Sequence, residues 1–331
     1  MKHWPLIKVL PVKTNFHFTG PSRLFGVISL LACIASIFLA VYPLTPPCGG
    51  LNCGVDFKGG SVLEMSTAPT PMDLGAIRAA LTRAGLADVQ VQALGAEAVP
   101  TSALLRFDTP RGANANEAVA KIQADLQSEF AGAKFKPREI VGPKVSGELF
   151  GKGIIALIAA IGFMLMYIWF RFGLTFGIGA VLGLFHDVIL TFGLFAVFRL
   201  EFTMTSVAAI LSIIGYSMND TVVVLDRIRE NMRKYKKMPM GEIIDLSINE
   251  TLSRTIITGV TGIMALTALL AFGGPAMHTF SIAMIFGIAV GTYSSIYIAG
   301  AFLQFVTRRR GEDEATPIDL AKGTSVRPQK A

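Results

Sequence analysis

The residues with chemistry to offer are ionisable groups lodged in apolar sequence. Asp220 lies near the end of the apolar run 202–225, which is long enough to cross a bilayer. A carboxylate held in hydrocarbon costs roughly 2.5–3.5 kcal/mol on insertion scales, so such a group is read first as functional. It sits about 10 Å from the basic boundary that begins at Arg227, at 1.5 Å per residue. Arg254 opens a later apolar run that enters from the same side, which puts the two charges at similar depth. Burial favours a neutral acid, whereas a guanidinium within about 4–6 Å favours the carboxylate. A group poised between those pulls can load and release a proton as helices move. The plainer reading is a static buried pair that fixes helix register.

Asn219, beside the acid, can donate and accept hydrogen bonds and so hold the carboxyl in place. His186-Asp187 falls near the middle of another apolar run. Imidazole changes charge between about pH 5 and 8, which makes His186 a relay candidate, with helix packing as the alternative role. Ser206, Ser217 and Asp220 share one helical face, a polar stripe suited to a hydrated path.

The elements that must position these groups are membrane spans. The 331 residues are 52% hydrophobic and only 16% charged, and mean hydropathy is +0.55. Soluble domains carry about a quarter charged residues, so the chain reads as a polytopic α-helical membrane protein. Six apolar runs approach the necessary length: 24–41, 153–170, 174–198, 202–225, 255–272 and 280–306. Lys2, Lys8, Lys13 and Arg23 precede the first. Arg171 follows the second, Arg227 to Lys237 the fourth, and Arg308 to Arg310 the sixth. The positive-inside rule then places both termini in the cytoplasm. The excess of base, +7 overall, is thereby explained by topology, and no basic face interleaved with aromatics suggests nucleic acid. No catalytic triad, metal-ligand cluster or phosphate-binding loop is present, so neither an enzyme nor a bound cofactor is expected.

The expected organisation is a cytoplasmic segment 1–23, a first span 24–42 and a periplasmic domain 43–152. A bundle of five spans over 153–306 follows, interrupted by a cytoplasmic connector 226–253, and a disordered tail over 307–331. The apolar run continues past Cys33 to Val41, which argues for an uncleaved anchor over a lipoprotein signal. Within 43–152 the pattern alternates: strand 55–65, helix 71–84, strand 89–94, strand 102–108, helix 114–130, strand 134–141. That β-α-β-β-α-β order predicts a ferredoxin-like α+β sandwich. Cys48 and Cys53 flank a flexible spacer in an oxidising compartment, where either a small disulfide loop or two free thiols fit. In the connector, Ile243, Ile244, Ile248 and Leu252 recur at helical spacing after Pro239, as in a helix lying in the lipid interface. Gly177, Gly179, Gly183, Gly259, Gly262, Gly287 and Gly291 are read as helix-packing positions.

Gly54-Val55-Asp56-Phe57-Lys58-Gly59-Gly60 resembles the Gly-x-Asp-Phe-x-Gly-Gly signature of the SecD and SecF protein-export subunits. The string from Gly215 to Asn231, ending Asp-Arg-Ile-Arg-Glu-Asn, resembles the family's fourth-span motif. His186-Asp187, Ser253-Arg254-Thr255 and the loop Phe272-Gly273-Gly274-Pro275 are similar to further family positions. One modest external domain, together with 226–231, points to the SecF branch. The resemblance implies a resistance-nodulation-division-type bundle in the inner membrane, paired with SecD beside the Sec channel. It also implies proton flow that helps draw preproteins across, with Asp220 and Arg254 as the conducting pair. Lys58 stands where a small hydroxyl residue is usual, and Cys48 and Cys53 lie outside the shared pattern. A small-molecule exporter of the same superfamily and a passive scaffold for SecD are the competing readings.

Overall fold

The structure, a computed structural model, describes residues 14–44, 48–86, 89–94, 100–107, 115–141, 143–300 and 302–304. The expected tail 307–331 lies outside the described residues. In chain order the elements are α1 (Ser22–Val41), β1 (Asn52–Cys53), α2 (Val55–Lys58), β2 (Gly60–Ser66), α3 (Leu74–Arg83), β3 (Gln90–Ala93) and β4 (Ser102–Phe107). There follow α4 (Ala115–Glu129), β5 (Lys134–Val141), α5 (Pro143–Val197), β6 (Glu201–Phe202), α6 (Met204–Lys234), α7 (Met240–Phe272) and α8 (Pro275–Tyr297). α5 is interrupted at Gly173, whose φ of 73° is a left-handed value that glycine adopts without a Cβ penalty. Its arms, Val145–Gly173 and Phe176–Val197, join Ser22–Val41, Met204–Lys234, Met240–Phe272 and Met277–Gln304 as six helices able to span a membrane.

The helices overrun the apolar segments. α6 continues to Lys234 and α7 already begins at Met240, after Pro239 at its N-cap. The connector is therefore not a separate interfacial helix, and the expectation is corrected. Ile243, Ile244 and Ile248 are buried in protein, with at most 1% of their surface exposed. Helical periodicity gave the apolar face correctly but could not say what covers it. No glycine or proline interrupts 242–258, so nothing stops the helix at the membrane boundary.

Two compact units result. One takes in the described residues of Met1–Leu44, Leu157–Leu200 and Ser206–Ala331, and the other Thr45–Ala156 with Glu201–Thr205. In the helical unit, glycines sit where backbones meet neighbouring side chains. A Cβ at Gly179 would lie 3.2 Å from the Ala299 carbonyl oxygen, and one at Gly291 would lie 3.0 Å from the Ser217 Cβ. Lipid supplies no hydrophobic drive between helices, so such close approach is what packs them. α1 and the first arm of α5 turn Leu30, Leu31, Ile155, Ile158 and Phe163 outward, as bilayer-facing helices do.

In the other unit, the four-stranded antiparallel sheet has the order β3-β4-β2-β5. Leu63, Met65, Val91, Leu105 and Phe107 project from one face onto Ile77 and Leu81 of α3 and Ile122 and Leu126 of α4. This is the ferredoxin-like sandwich. Asp73 caps α3, accepting from the Gly75 and Ala76 amides at 2.8 and 3.1 Å. The opposite face is smaller, with Val55, Val62 and Leu104 packed together. The unit departs from the expected segment 43–152 by also holding Glu201–Thr205, because β6 pairs in parallel with β1.

Gly287 is among the tightest of the bundle glycines, since a Cβ there would overlap three Ile213 side-chain carbons. Gly287→Ala should cost about 1–3 kcal/mol by overpacking. A lowered melting temperature of the detergent-solubilised protein would register it.

Candidate functional site

Among the described residues, two acids are buried in the helical unit, and their surroundings differ. Asp187, on the second arm of α5, is 1% exposed. Its Oδ2 accepts hydrogen bonds from the Ser217 hydroxyl of α6 and, at 2.8 Å, from the Ser294 hydroxyl of α8. Its Oδ1 lies 2.9 Å from Nδ1 of His186. Three helices thus converge on one carboxylate, each of whose oxygens has at least one side-chain partner. That is how a polar group buried away from water avoids its desolvation penalty. His186 faces the Tyr293 ring at 5.9 Å, and the Tyr293 hydroxyl donates to the Phe25 carbonyl at 3.0 Å. Ser29 Oγ is 2.8 Å from the same hydroxyl, so the cluster reaches α1 as well.

Asp220 is 2% exposed, and its Oδ2 has no hydrogen-bond partner among the described residues. Arg254 lies close enough for its charge to act on that carboxyl. Among the described residues, however, no ion pair joins them within 4 Å, and Arg254 is an exposed side chain. Asn219 likewise faces outward, a third of a turn from the buried side, and makes no bond to Asp220 among the described residues. The structure therefore groups His186, Asp187, Ser217 and Ser294. It leaves Asp220 buried and under-satisfied, with Arg254 near and Asn219 turned away. Thr255, one residue beyond Arg254, is 2% exposed with an unpartnered hydroxyl. Ser206 shares the buried side of α6 with Ser217 and Asp220. Among the described residues no metal-ligating cluster forms.

The charges after Asp220 are more than boundary markers. Arg227 reaches Glu250 of α7 at 2.7 Å and Glu230 at 2.6 Å. Asn231, 1% exposed, donates to the Ser247 hydroxyl at 3.0 Å and to Glu250 at 2.7 Å. Asp226 pairs with Arg171 at 2.6 Å. On the other side of α7, Asp245 accepts from the Phe18 and Thr19 amides at 3.0 and 2.9 Å. Asn249 both accepts from the Phe16 amide and donates to the Phe16 carbonyl, each at 2.9 Å. This carboxylate-and-amide clamp on the N-terminal segment was invisible in sequence. Its partners stand more than 200 positions apart, and a short polar side chain on a helix carries no address.

The Gly-Val-Asp-Phe-Lys-Gly-Gly string builds a clasp inside the α+β unit. Asp56 Oδ2 accepts from the Met204 amide at 2.7 Å, which caps the first turn of α6. The Gly54 amide donates to the Phe202 carbonyl at 2.9 Å. A Cβ at Gly54 would fall 2.6 Å from Thr203 Cγ2, so only glycine admits that approach. Phe57 is buried with its ring 5.5 Å from both Phe150 and Phe202. Gly59 and Gly60 have φ of 80° and 133°, and turn the chain from α2 into β2. Arg106 of β4 adds an ion pair to Glu201 at 2.5 Å. Lys58 projects to the surface, which explains why a long side chain is accepted there. Cys48 and Cys53 are joined as a disulfide, with Cα atoms 6.1 Å apart.

The pattern of the SecD/SecF protein-export membrane protein C-terminal region matches residues 121–309, and that of the SecD/SecF GG motif matches 50–71. The protein translocase subunit SecF of Rhodobacter capsulatus is 41% identical over 325 residues, 95% of either chain. That of Rickettsia akari is 41% identical over 315 residues, 94% of this chain and 97% of its own. The crystal structure of SecDF from Thermus thermophilus, a translocon-associated membrane protein, superposes with a TM-score of 0.76 at 31% identity. It covers 92% of this chain, which in turn spans only 40% of that longer chain. SecDF in its Super-membrane-facing form matches with a TM-score of 0.64 at 30% identity, over 93% of this chain and 41% of the other. The chain belongs to the SecD/SecF family of protein-export membrane proteins. Within that family, these full-length relatives are SecF subunits.

Asp56→Ala should free the Met204 amide at a cost of about 1 kcal/mol, the usual loss for a cap. Hydrogen exchange followed by mass spectrometry should show faster labelling confined to 201–206.

Proposed function

We propose that this chain is an accessory subunit of the Sec preprotein translocase. With SecD, it uses the proton motive force to complete translocation across the bacterial inner membrane. Sequence similarity along nearly the whole SecF length supports the subunit assignment, and likeness to SecDF supports the pairing with SecD. The basic residues at the loop ends favour both termini in the cytoplasm, with the ferredoxin-like domain on the far side of the membrane.

The observation that carries the proton role is the contrast between the two buried acids. Asp187 is fully engaged, which suits a fixed hub. Asp220 is buried with an oxygen unpartnered and a guanidinium nearby but not bound. An acid in that condition is sensitive to small helix movements: approach of Arg254 favours the carboxylate, and retreat favours the protonated form. One proton crossing 100 mV delivers about 2.3 kcal/mol. A few protons per cycle would bias two orientations of the external domain that differ by a few kcal/mol. That domain would hold emerging preprotein and stop it sliding back. Asp187, with His186 and the two serines, would serve as the proton's neighbour station or as the pivot on which the three helices turn.

The decisive measurement is proton flux into vesicles containing this chain with its SecD partner. Asp220→Asn should abolish flux driven by an imposed potential and leave SecD co-purification intact. Undiminished flux in that variant would reduce the chain to a passive scaffold. Ser294→Ala should weaken flux severalfold without abolishing it, because the Asp187 carboxylate loses one of its donors at a cost of about 1–3 kcal/mol.

A further inference from the structure

At the basic end of the helical unit, a cleft of about 480 Å³ opens between the end of α5's first arm and the end of α6. Arg171, Arg229, Arg233, Lys234, Asp226 and Glu230 line it. Both of its acids are already engaged: Asp226 with Arg171 at 2.6 Å, and Glu230 with Arg227, outside the cleft, at 2.6 Å. The cations nevertheless converge. The Arg171 and Arg229 guanidiniums sit over the same Phe172 ring, 5.3 and 5.7 Å from its centre. Arg229 is further steadied by the Phe176 ring at 5.7 Å and by donating to the Arg171 carbonyl at 3.0 Å. Lys234 lies 4.9 Å over the Tyr235 ring, while the Arg233 side chain is exposed at the rim.

Packing like charges together is unfavourable unless an anion neutralises them. A guanidinium steadied against an aromatic ring loses less freedom on gripping a phosphate, which it can do with two parallel bonds. The level of the cleft identifies the anion's source. Tyr167 and Trp169, just before Arg171 on the same arm, are 48% and 65% exposed, as aromatic side chains are where a span meets the lipid headgroups. We propose that this cleft binds the phosphodiester of an anionic phospholipid, with Arg229 and Arg233 as its principal donors. This site is separate from the buried acids and does not depend on a proton role for them. Its occupant would tie the α5 turn at Gly173 to the end of α6.

The test compares the purified full chain in neutral detergent with added phosphatidylglycerol, phosphatidylcholine or inorganic phosphate. Retained lipid is read by native mass spectrometry, and the melting temperature is followed in parallel. Phosphatidylglycerol should be retained and should stabilise the protein, phosphatidylcholine should do neither, and phosphate should have little effect. Arg229→Gln with Arg233→Gln should reduce phosphatidylglycerol retention about tenfold or more, at about 1 kcal/mol per basic residue near an anionic surface. Lys236→Gln with Lys237→Gln removes the same charge outside the cleft and should change retention little. An unaltered melting temperature without lipid establishes that a variant is folded. If the double variant fails that check, Arg233→Gln alone, at an exposed position, carries the comparison. Equal losses in the two double variants would overturn the proposal in favour of unspecific surface charge. Equal stabilisation by inorganic phosphate would overturn it in favour of a soluble anion, and indifference between the two lipids would overturn it outright.

Discussion

Keeping a carboxyl group out of water inside a helical bundle is the constraint around which this protein is arranged. Two solutions occur a few residues apart in space along α6. Ser217 turns its hydroxyl to Asp187 and, with Ser294 and His186, gives both oxygens of that acid a partner, while Nε2 of His186 stays unpartnered among the described residues. Three positions further along the same helix, Asp220 is equally buried but keeps an oxygen unpartnered among the described residues. A satisfied network rigidifies its surroundings, whereas a half-satisfied one is held in place only by the packing around it. Gly287 and Gly291, opposite Ile213 and Ser217, let α8 press against α6 along the two turns that precede the acid. Two neighbouring positions of one helix thus face the same constraint with different degrees of satisfaction.

Much of this was legible in the amino-acid order. An ionisable residue in an apolar run stands out against its background, so Asp220, His186-Asp187 and Arg254 could be found by composition and depth alone. The spans and the β-α-β-β-α-β alternation followed from hydrophobic length and period. Ser294 and Tyr293 could not be found in this way. Hydroxyl side chains are common in membrane helices, where they bond their own backbone, and nothing marks the one that crosses to a neighbour. The connector misled for a related reason: four isoleucines and leucines at helical spacing reveal an apolar face, but lipid and protein read alike.

The Gly-Val-Asp-Phe-Lys-Gly-Gly string shows the same limit at a motif. Its residues suggest a tight turn with an acid in it, but the acid's partner is the Met204 amide, 148 positions downstream. The glycine at 54 is demanded by the side chain of Thr203, which hydrophobic length placed in the fourth span although it lies in the loop just before α6. Pairing of β1 with β6 draws that loop into the α+β unit, and the helix bearing both Ser217 and Asp220 starts within the clasp.

α7 gives the arrangement a mechanical reach. Its 33 residues run without interruption, about 50 Å at the usual rise, with Arg254 near the midpoint. A stiff rod cannot displace its centre while both ends stay still. Tilting the rod to carry Arg254 toward or away from Asp220 therefore moves at least one end, and Asp245 and Asn249, which hold Phe16, Phe18 and Thr19, lie near one of them. A tilt about the far end would swing the amino-terminal strap like the pointer of a gauge.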